Sequence, residues 1–189
     1  MNFAFWNMHS KAAEWDVPLF LGEFGGPAPT LGIVDYMHLL HKRLNDYLAS
    51  GAQWNYTPGW TPGALDGWNA EDLSIVNDQG NLRANFKIRP YAQKISGTPT
   101  QLIVSIVSND GKSIELKWYH KSRTGQTELF VPRNDLFGSI PVKIDMEGLG
   151  LFCWFDPSQT RLICNSNFDG YKHVRVRHCL MILGLCFLY

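Results

Sequence analysis

The stretch VPLFLGEFGG, Val17 to Gly26, decides the fold class. An apolar run ends in a single carboxylate, Glu23, and a Gly-Gly pair follows. A short segment with no polar face matches a strand covered on both sides, as in a parallel sheet. A parallel strand that ends in an acid, with glycines to turn the chain away, is how a (β/α)8 TIM barrel presents a catalytic carboxylate. Barrel sites lie at the C-terminal ends of the strands. A glutamate that caps or ion-pairs with the next helix would leave the same letters, so the spacing alone keeps both readings open.

The flanking segments support an α/β pattern. FAFWNMHSKAAEW sets Phe5, Met8, Ala12 and Trp15 at helical intervals and predicts a helix over about residues 3–15. TLGIVDYMHLLHKRLNDYLASG predicts a second helix with Thr30 as N-cap and a core stripe of Ile33, Met37, Leu40, Leu44 and Leu48. Ser50-Gly51 reads as its C-cap. AQWNY reads as a second strand, followed by a long loop rich in Trp, Pro, Gly and Asn to about residue 85. RPYAQKISGTP reads as a last helix, with Pro90 at its first position and Gly97 at its end.

After Pro99 the period changes to two. SIELKW alternates Ile114, Leu116 and Trp118 with charged residues, and IPVKIDM does so with Ile140, Val142, Ile144 and Met146. Asn109-Asp110-Gly111 and Asp169-Gly170 are hairpin turn signals. The fold class is therefore α/β plus all-β, the second part a small antiparallel β-sandwich over residues 99–177.

Seventeen basic residues balance seventeen acidic ones without a basic block, which argues against nucleic-acid binding through bulk charge. Seven Trp residues, several of them in loops, suit flat ligands with apolar faces such as sugar rings. The four cysteines, Cys153, Cys164, Cys179 and Cys186, form no CxxC pair, so a zinc site is not indicated. Cys153 and Cys164 could face each other across a hairpin, and are read as two small buried hydrophobes rather than a disulfide. His38 and His41 are read as helix-surface residues, not metal ligands. The opening residues lack a signal-peptide pattern. The closing run CLMILGLCFLY is too short for a transmembrane segment; it is a buried strand, or a tail read in the wrong frame or through an intron.

Five segments in order, PLFLGEFGGPA, WNYTPGW, GWNAEDLSIVND, LRANFKIRPYAQKISGTP and the β-region after them, resemble the C-terminal part of glycoside hydrolase family 5, in its endoglycoceramidase and steryl-glucosidase-like branch. The resemblance implies that residues 1–98 are the C-terminal portion, the last two strand-helix units, of a TIM-barrel catalytic domain. It makes residues 99–177 a β-sandwich and leaves 178–189 as an apolar tail of uncertain origin. It further implies a retaining glycosidase that cleaves the bond between a sugar and a lipid-like aglycone, ceramide or sterol. Glu23 matches the nucleophile of that family, which works with a second carboxyl about 5 Å away as acid/base.

That acid/base lies in an Asn-Glu-Pro motif in the family, and no Asn-Glu-Pro occurs here. These residues alone are therefore expected to be inactive. Trp54 is implied as the floor of a sugar subsite, with Tyr56, Trp60 and Trp68 as further substrate-binding candidates on the loop. Asp66, Glu71 and Asp72 are not placed as proton donors, and Glu71 or Asp72 is expected to organise the loop. Ala70 stands where a glycine is expected. No cofactor or metal is implied, because two carboxylates and water suffice. The implied partner is a glycolipid or steryl glucoside, with peripheral membrane contact and no nucleic acid; the compartment stays open. A second reading, of another class, makes the chain a non-catalytic module whose β-sandwich binds glycan, lipid or a partner protein.

Overall fold

The computed structural model describes residues 2–106, 111–179, 181–182 and 185–186. The architecture is mixed, with few helices and with most strands in antiparallel sheets. Two compact units divide the chain, Met1–Lys87 and Ile88–Tyr189.

In the first unit, α1 (Asn2–Glu14) precedes β1 (Phe20–Phe24), α2 (Ile33–Asp46) and β2 (Ser50–Gln53). β1 and β2 pair in parallel, as a strand-helix-strand connection requires. One core holds them to the helices: Phe5 from α1, Phe24 from β1, and Ile33, Met37, Leu40 and Leu44 from α2. The i, i+4, i+7, i+11 spacing of that α2 stripe puts all four side chains on one face.

The helix ends differ from the sequence reading. Gly32, left-handed at φ 80°, is the N-cap of α2, and Thr30 contributes only its carbonyl, which accepts from the Ile33 N–H at 3.1 Å. The helix stops at Asp46, and Leu48 turns into the left-handed region, exposed. Ser50-Gly51 is thus strand β2 rather than a cap. Trp15 falls beyond α1 and is exposed. His41 is not a free surface residue; its ring lies edge-on to Phe24 at 5.4 Å.

The expectation that β1 is covered on both faces is also corrected. Its residues are mostly exposed, because among the described residues the sheet has two strands and only one face meets the helices. Phe3, Trp6 and Phe20 are exposed as well.

The second unit contains two four-stranded antiparallel sheets. The first has the order β4 (Gly97–Ser105), β5 (Ser113–His120), β10 (Gly170–His178), β7 (Val142–Glu147); the second has β3 (Tyr91–Lys94), β6 (Thr127–Phe130), β9 (Arg161–Asn165), β8 (Phe152–Phe155). Ile114, Leu116, Trp118, Val174 and Val176 of the first sheet meet Leu129, Leu162 and Cys164 of the second in one core. α3 (Arg133–Phe137) adds Leu136 and Phe137. Each of these aliphatic side chains contributes roughly 1.5–3 kcal/mol by leaving water. His120 is also inside: its Nε2–H donates to the Ser166 carbonyl at 2.9 Å, and its Nδ1 faces the Trp118 indole N–H at 3.4 Å. An indole N–H only donates and a carbonyl only accepts, so this pair of partners selects the neutral Nε2–H tautomer.

Residues 91–94 form a strand, not the helix expected for RPYAQKISGTP. The register of β3 against β6 slips between Ala92 and Lys94, and both Ala92 and Ile95 turn inward onto the core. That bulge gives the inward residues an i, i+3 spacing, which imitates a helix in sequence. Gly97 cannot carry a side chain, since it sits at φ 118° against the Tyr119 carbonyl oxygen.

Two further expectations change. Asp169-Gly170 does not close a hairpin: β9 and β10 belong to different sheets, and the Asp169 carboxylate instead accepts from the Ser122 N–H and Oγ–H at 2.8 and 2.7 Å. Met146 and Ile140 are exposed, because β7 is an edge strand. Residues 109 and 110 of the other turn lie outside the described residues, but the strands on either side pair, with Ser105 opposite Ser113. Beyond β10, the short strands β11 (Met181–Ile182) and β12 (Leu185–Cys186) pair antiparallel, in place of a single strand.

Cys153 and Cys164 form a disulfide, contrary to the reading as two thiols. They lie opposite each other in the β8–β9 register with Cα atoms 4.1 Å apart, the close spacing of a non-hydrogen-bonded antiparallel pair. For a cross-link spanning 11 residues, chain entropy gives about 3 kcal/mol. The double variant Cys153→Ala/Cys164→Ala should lose about that much in urea unfolding, and an unchanged midpoint would show that the bond does not constrain the unfolded chain.

The turn joining β8 to β9 is held by Asp156. Its Oδ2 accepts from Ser158 Oγ at 2.6 Å, and its Oδ1 from the N–H groups of Thr160 and Arg161 at 3.0 and 2.9 Å. These bonds, the Ser158 hydroxyl foremost, lower the carboxyl to about 2. The folded pKa lies below the unfolded one, so the contribution is complete above the ordinary carboxylate value near 3.9 and disappears as pH falls through about 2. The stability gap between wild type and Asp156→Asn should therefore close on acidification from about pH 4 to pH 2. A constant gap would refute the assignment.

Candidate active site

The site is built where β1 and β2 end side by side. The register of β1 against β2 pairs Leu21 with Gly51 and Phe24 with Gln53, so Gly22 and Glu23 together stand opposite Ala52. This bulge lets Leu21 and Phe24 both reach the helix-side core, and Glu23 is left exposed on the other side. No hydrogen bond or ion pair ties the Glu23 carboxylate to another described residue. Gly51 admits the approach, since a Cβ there would stand 2.9 Å from the Phe24 ring.

Trp54 follows β2 directly, and its N–H donates to the Phe24 carbonyl at 2.8 Å. The parallel register thus sets Trp54 beside the end of the strand that carries Glu23. Gly25 is required at this crossing, because a Cβ there would run into the Trp54 carbonyl oxygen. The Trp54 indole N–H donates to Glu71 Oε2 at 3.0 Å, and the side chain remains 37% exposed. The Trp54–Asn55 peptide is cis.

The loop beyond Trp54 is organised by carboxylates. Asp66 is buried and accepts from the N–H groups of Leu73 and Ser74 at 2.6 and 3.0 Å. Asp72 accepts from the Trp60 indole N–H at 2.8 Å and ion-pairs with Arg83 at 2.6 Å, while the Arg83 guanidinium lies over the Trp60 ring at 4.1 Å. Glu71 and Asp72 therefore both hold loop indoles, the organising role read for them. Asn69 and Ala70 adopt φ 46° and 55°, so Ala70 occupies a left-handed turn where glycine is favoured. The missing glycine costs about 1–2 kcal/mol there.

The five candidates fall into two groups. Glu23 and Trp54 are brought to adjacent strand ends. Tyr56 and Trp68 are exposed on the loop at 67% and 62%, and Trp60 is closed into its Arg83–Asp72 packing. Among the described residues no set of three or more His, Cys, Asp or Glu side chains is placed to hold a metal ion.

Asn85, which joins these parts, is not foreshadowed in the sequence. Fully buried, it sends its Nδ2 hydrogens to the carbonyls of Gly26 at 3.0 Å and Leu73 at 2.8 Å, and its backbone carbonyl accepts from Gln53 Nε2 at 2.9 Å. A lone Asn in LRANF has no periodicity to betray it, since its partners are contributed by the segment after β1, by β2 and by the loop.

The fold has counterparts among solved structures. The chain matches endoglycoceramidase II from Rhodococcus sp. at 20% identity and TM-score 0.64, over 93% of this chain and 37% of that one. The fold is shared. The same enzyme in its ganglioside GM3 complex matches at 19% identity, TM-score 0.65, with 93% and 35% covered. Its lactosyl-enzyme intermediate matches at 20%, TM-score 0.62, with 91% and 35% covered. The chain thus spans a little over a third of the length of these structures. No protein-family model matches it, and no curated protein matches by sequence.

Proposed function

We propose that these residues supply the nucleophile side of a retaining β-glycosidase that cleaves the bond between a sugar and a lipid-like aglycone. The observation that carries the reading is the exposed Glu23 carboxylate at the end of a strand paired in parallel with the one that leads into Trp54. In this reading β1 and β2 belong to a (β/α)8 barrel whose other strands pair with them, and the two antiparallel sheets of the second unit form the accompanying sandwich, with the residues after β10 as a tail. Glu23 attacks the anomeric carbon, the leaving oxygen takes a proton from a second carboxyl, and water later releases the sugar. Trp54 lies under the pyranose face, with its indole fixed by Glu71. Tyr56 and Trp68, exposed on the loop, line the path to the aglycone of a glycosylceramide or steryl glucoside. Trp60 serves the loop through Arg83 and Asp72.

The solved neighbours lend support, since one of them is a GM3 complex and another a lactosyl-enzyme intermediate. A lipid-linked substrate further implies contact with a membrane surface. Among the described residues no helix is long and apolar enough to cross one.

Covalent trapping tests the assignment. The chain is joined to the remaining part of an endoglycoceramidase and treated with a 2-fluoro lactoside bearing a good leaving group. The lactosyl mass should map to Glu23, and a label on any other carboxylate would overturn the proposal. With no Asn-Glu-Pro in its 189 residues, the chain by itself should show no turnover of a fluorogenic β-lactoside.

A further inference from the structure

The outer face of the second sheet carries a pattern that the glycosidase reading does not use. Strand alternation sends Leu129, Leu162 and Cys164 into the core, so Phe130 of β6, Arg161 of β9, and Phe152 and Trp154 of β8 point outward. At one side Tyr91 and Phe130 pair with ring centroids 5.1 Å apart; at the other Phe152 and Trp154 stack at 5.2 Å with 14° between their planes. Tyr91, Phe152 and Trp154 are 46%, 50% and 37% exposed. Two strand spacings, about 10 Å, separate β6 from β8.

Between the aromatic pairs, flanking the outward-facing Ile163 of β9, lie polar side chains. Arg161 Nη1 donates to Glu128 Oε2 at 3.3 Å, Lys94 Nζ lies 3.7 Å from the same carboxylate, and Arg161 Nε is 3.4 Å from Asp156. Two cations against two carboxylates leave the face neutral, and the contacts to Glu128 are long enough to be exchanged for a ligand's hydroxyls. The disulfide fixes the platform: Cys153, between Phe152 and Trp154, is bonded across to Cys164 of β9. The edge strand that carries the stacked pair is therefore clamped before any ligand arrives.

We propose that this face is a second binding site, for a neutral β-linked oligosaccharide. Sugar rings of this class offer apolar C–H faces alternating with hydroxyls, which match aromatic pairs separated by mixed-charge donors and acceptors. A charge-balanced face has no attraction for an anionic bilayer. The site belongs to the second unit and is independent of Glu23.

Titration calorimetry of the full chain with cellotetraose and lacto-N-neotetraose tests it. Binding of at least one is expected, weakened roughly ten-fold by Trp154→Ala, the size of one aromatic contact, with the circular dichroism spectrum retained. Arg161→Met, which keeps the stem and removes the donors, should weaken it too, whereas Trp54→Ala should leave it within about two-fold. Four results would overturn the proposal: no heat with either sugar; binding abolished by Trp54→Ala but untouched by Trp154→Ala; attachment to sugar-free phosphatidylcholine vesicles without oligosaccharide affinity; or self-association that Trp154→Ala abolishes.

Discussion

Glu23→Gln is expected to lower turnover by about 10³-fold or more when these residues are joined to the rest of an endoglycoceramidase. Glutamine keeps the size of the side chain and one acceptor oxygen but cannot attack the anomeric carbon as an anion. Glu23 is exposed and makes no hydrogen bond or ion pair to another described residue, so the change removes chemistry without removing a contact. The unfolding midpoint should not move. Glu71→Ala provides the contrast. Glu71 accepts from the Trp54 indole at 3.0 Å, so removing the acceptor frees the ring and should raise KM more than it lowers kcat. If Glu23→Gln keeps more than about a tenth of the activity, the nucleophile is another group.

The largest effect on the stability of the first unit is expected at Asn85. Replacing it with Leu keeps the volume but leaves the buried Gly26 carbonyl without its donor and the Leu73 carbonyl with only the longer bond from the Asn55 N–H at 3.4 Å. A buried unsatisfied group costs roughly 1–3 kcal/mol, and together with the lost bonds the first unit should lose about 3 kcal/mol. Asn85→Asp should be no better, since it sets a carboxylate oxygen against those same carbonyls. Urea unfolding followed by Trp fluorescence measures the loss, and hydrogen exchange at Ile75, whose N–H donates to the Asn55 carbonyl at 3.0 Å, localises it. A loss below about 1 kcal/mol would mean that Asn85 does not hold the loop to β1.

These two residues differ in how they could be found. The strand that carries Glu23 was legible because its context is local: an apolar run, an acid and two glycines fall within ten residues. The α2 stripe and the β5 alternation were legible for the same reason, each being a periodicity within one element. Asn85 was not, because its role exists only once three distant segments converge on one residue.

By itself the sequence determined the amphipathic helix α2, the parallel strand that carries Glu23, and the antiparallel character of the strands that follow residue 99. Tertiary structure alone decided the rest. A bulge turned 91–94 from a helical spacing into a strand, and another sent Glu23 away from the core that holds its neighbours. Register made Cys153 and Cys164 a bonded pair, and the crossing from sheet to sheet removed the hairpin at Asp169-Gly170. The physical reason is common to all of these: period and propensity act within a few residues, whereas bulges, cross-strand partners and buried polar hubs depend on which remote backbone lies alongside.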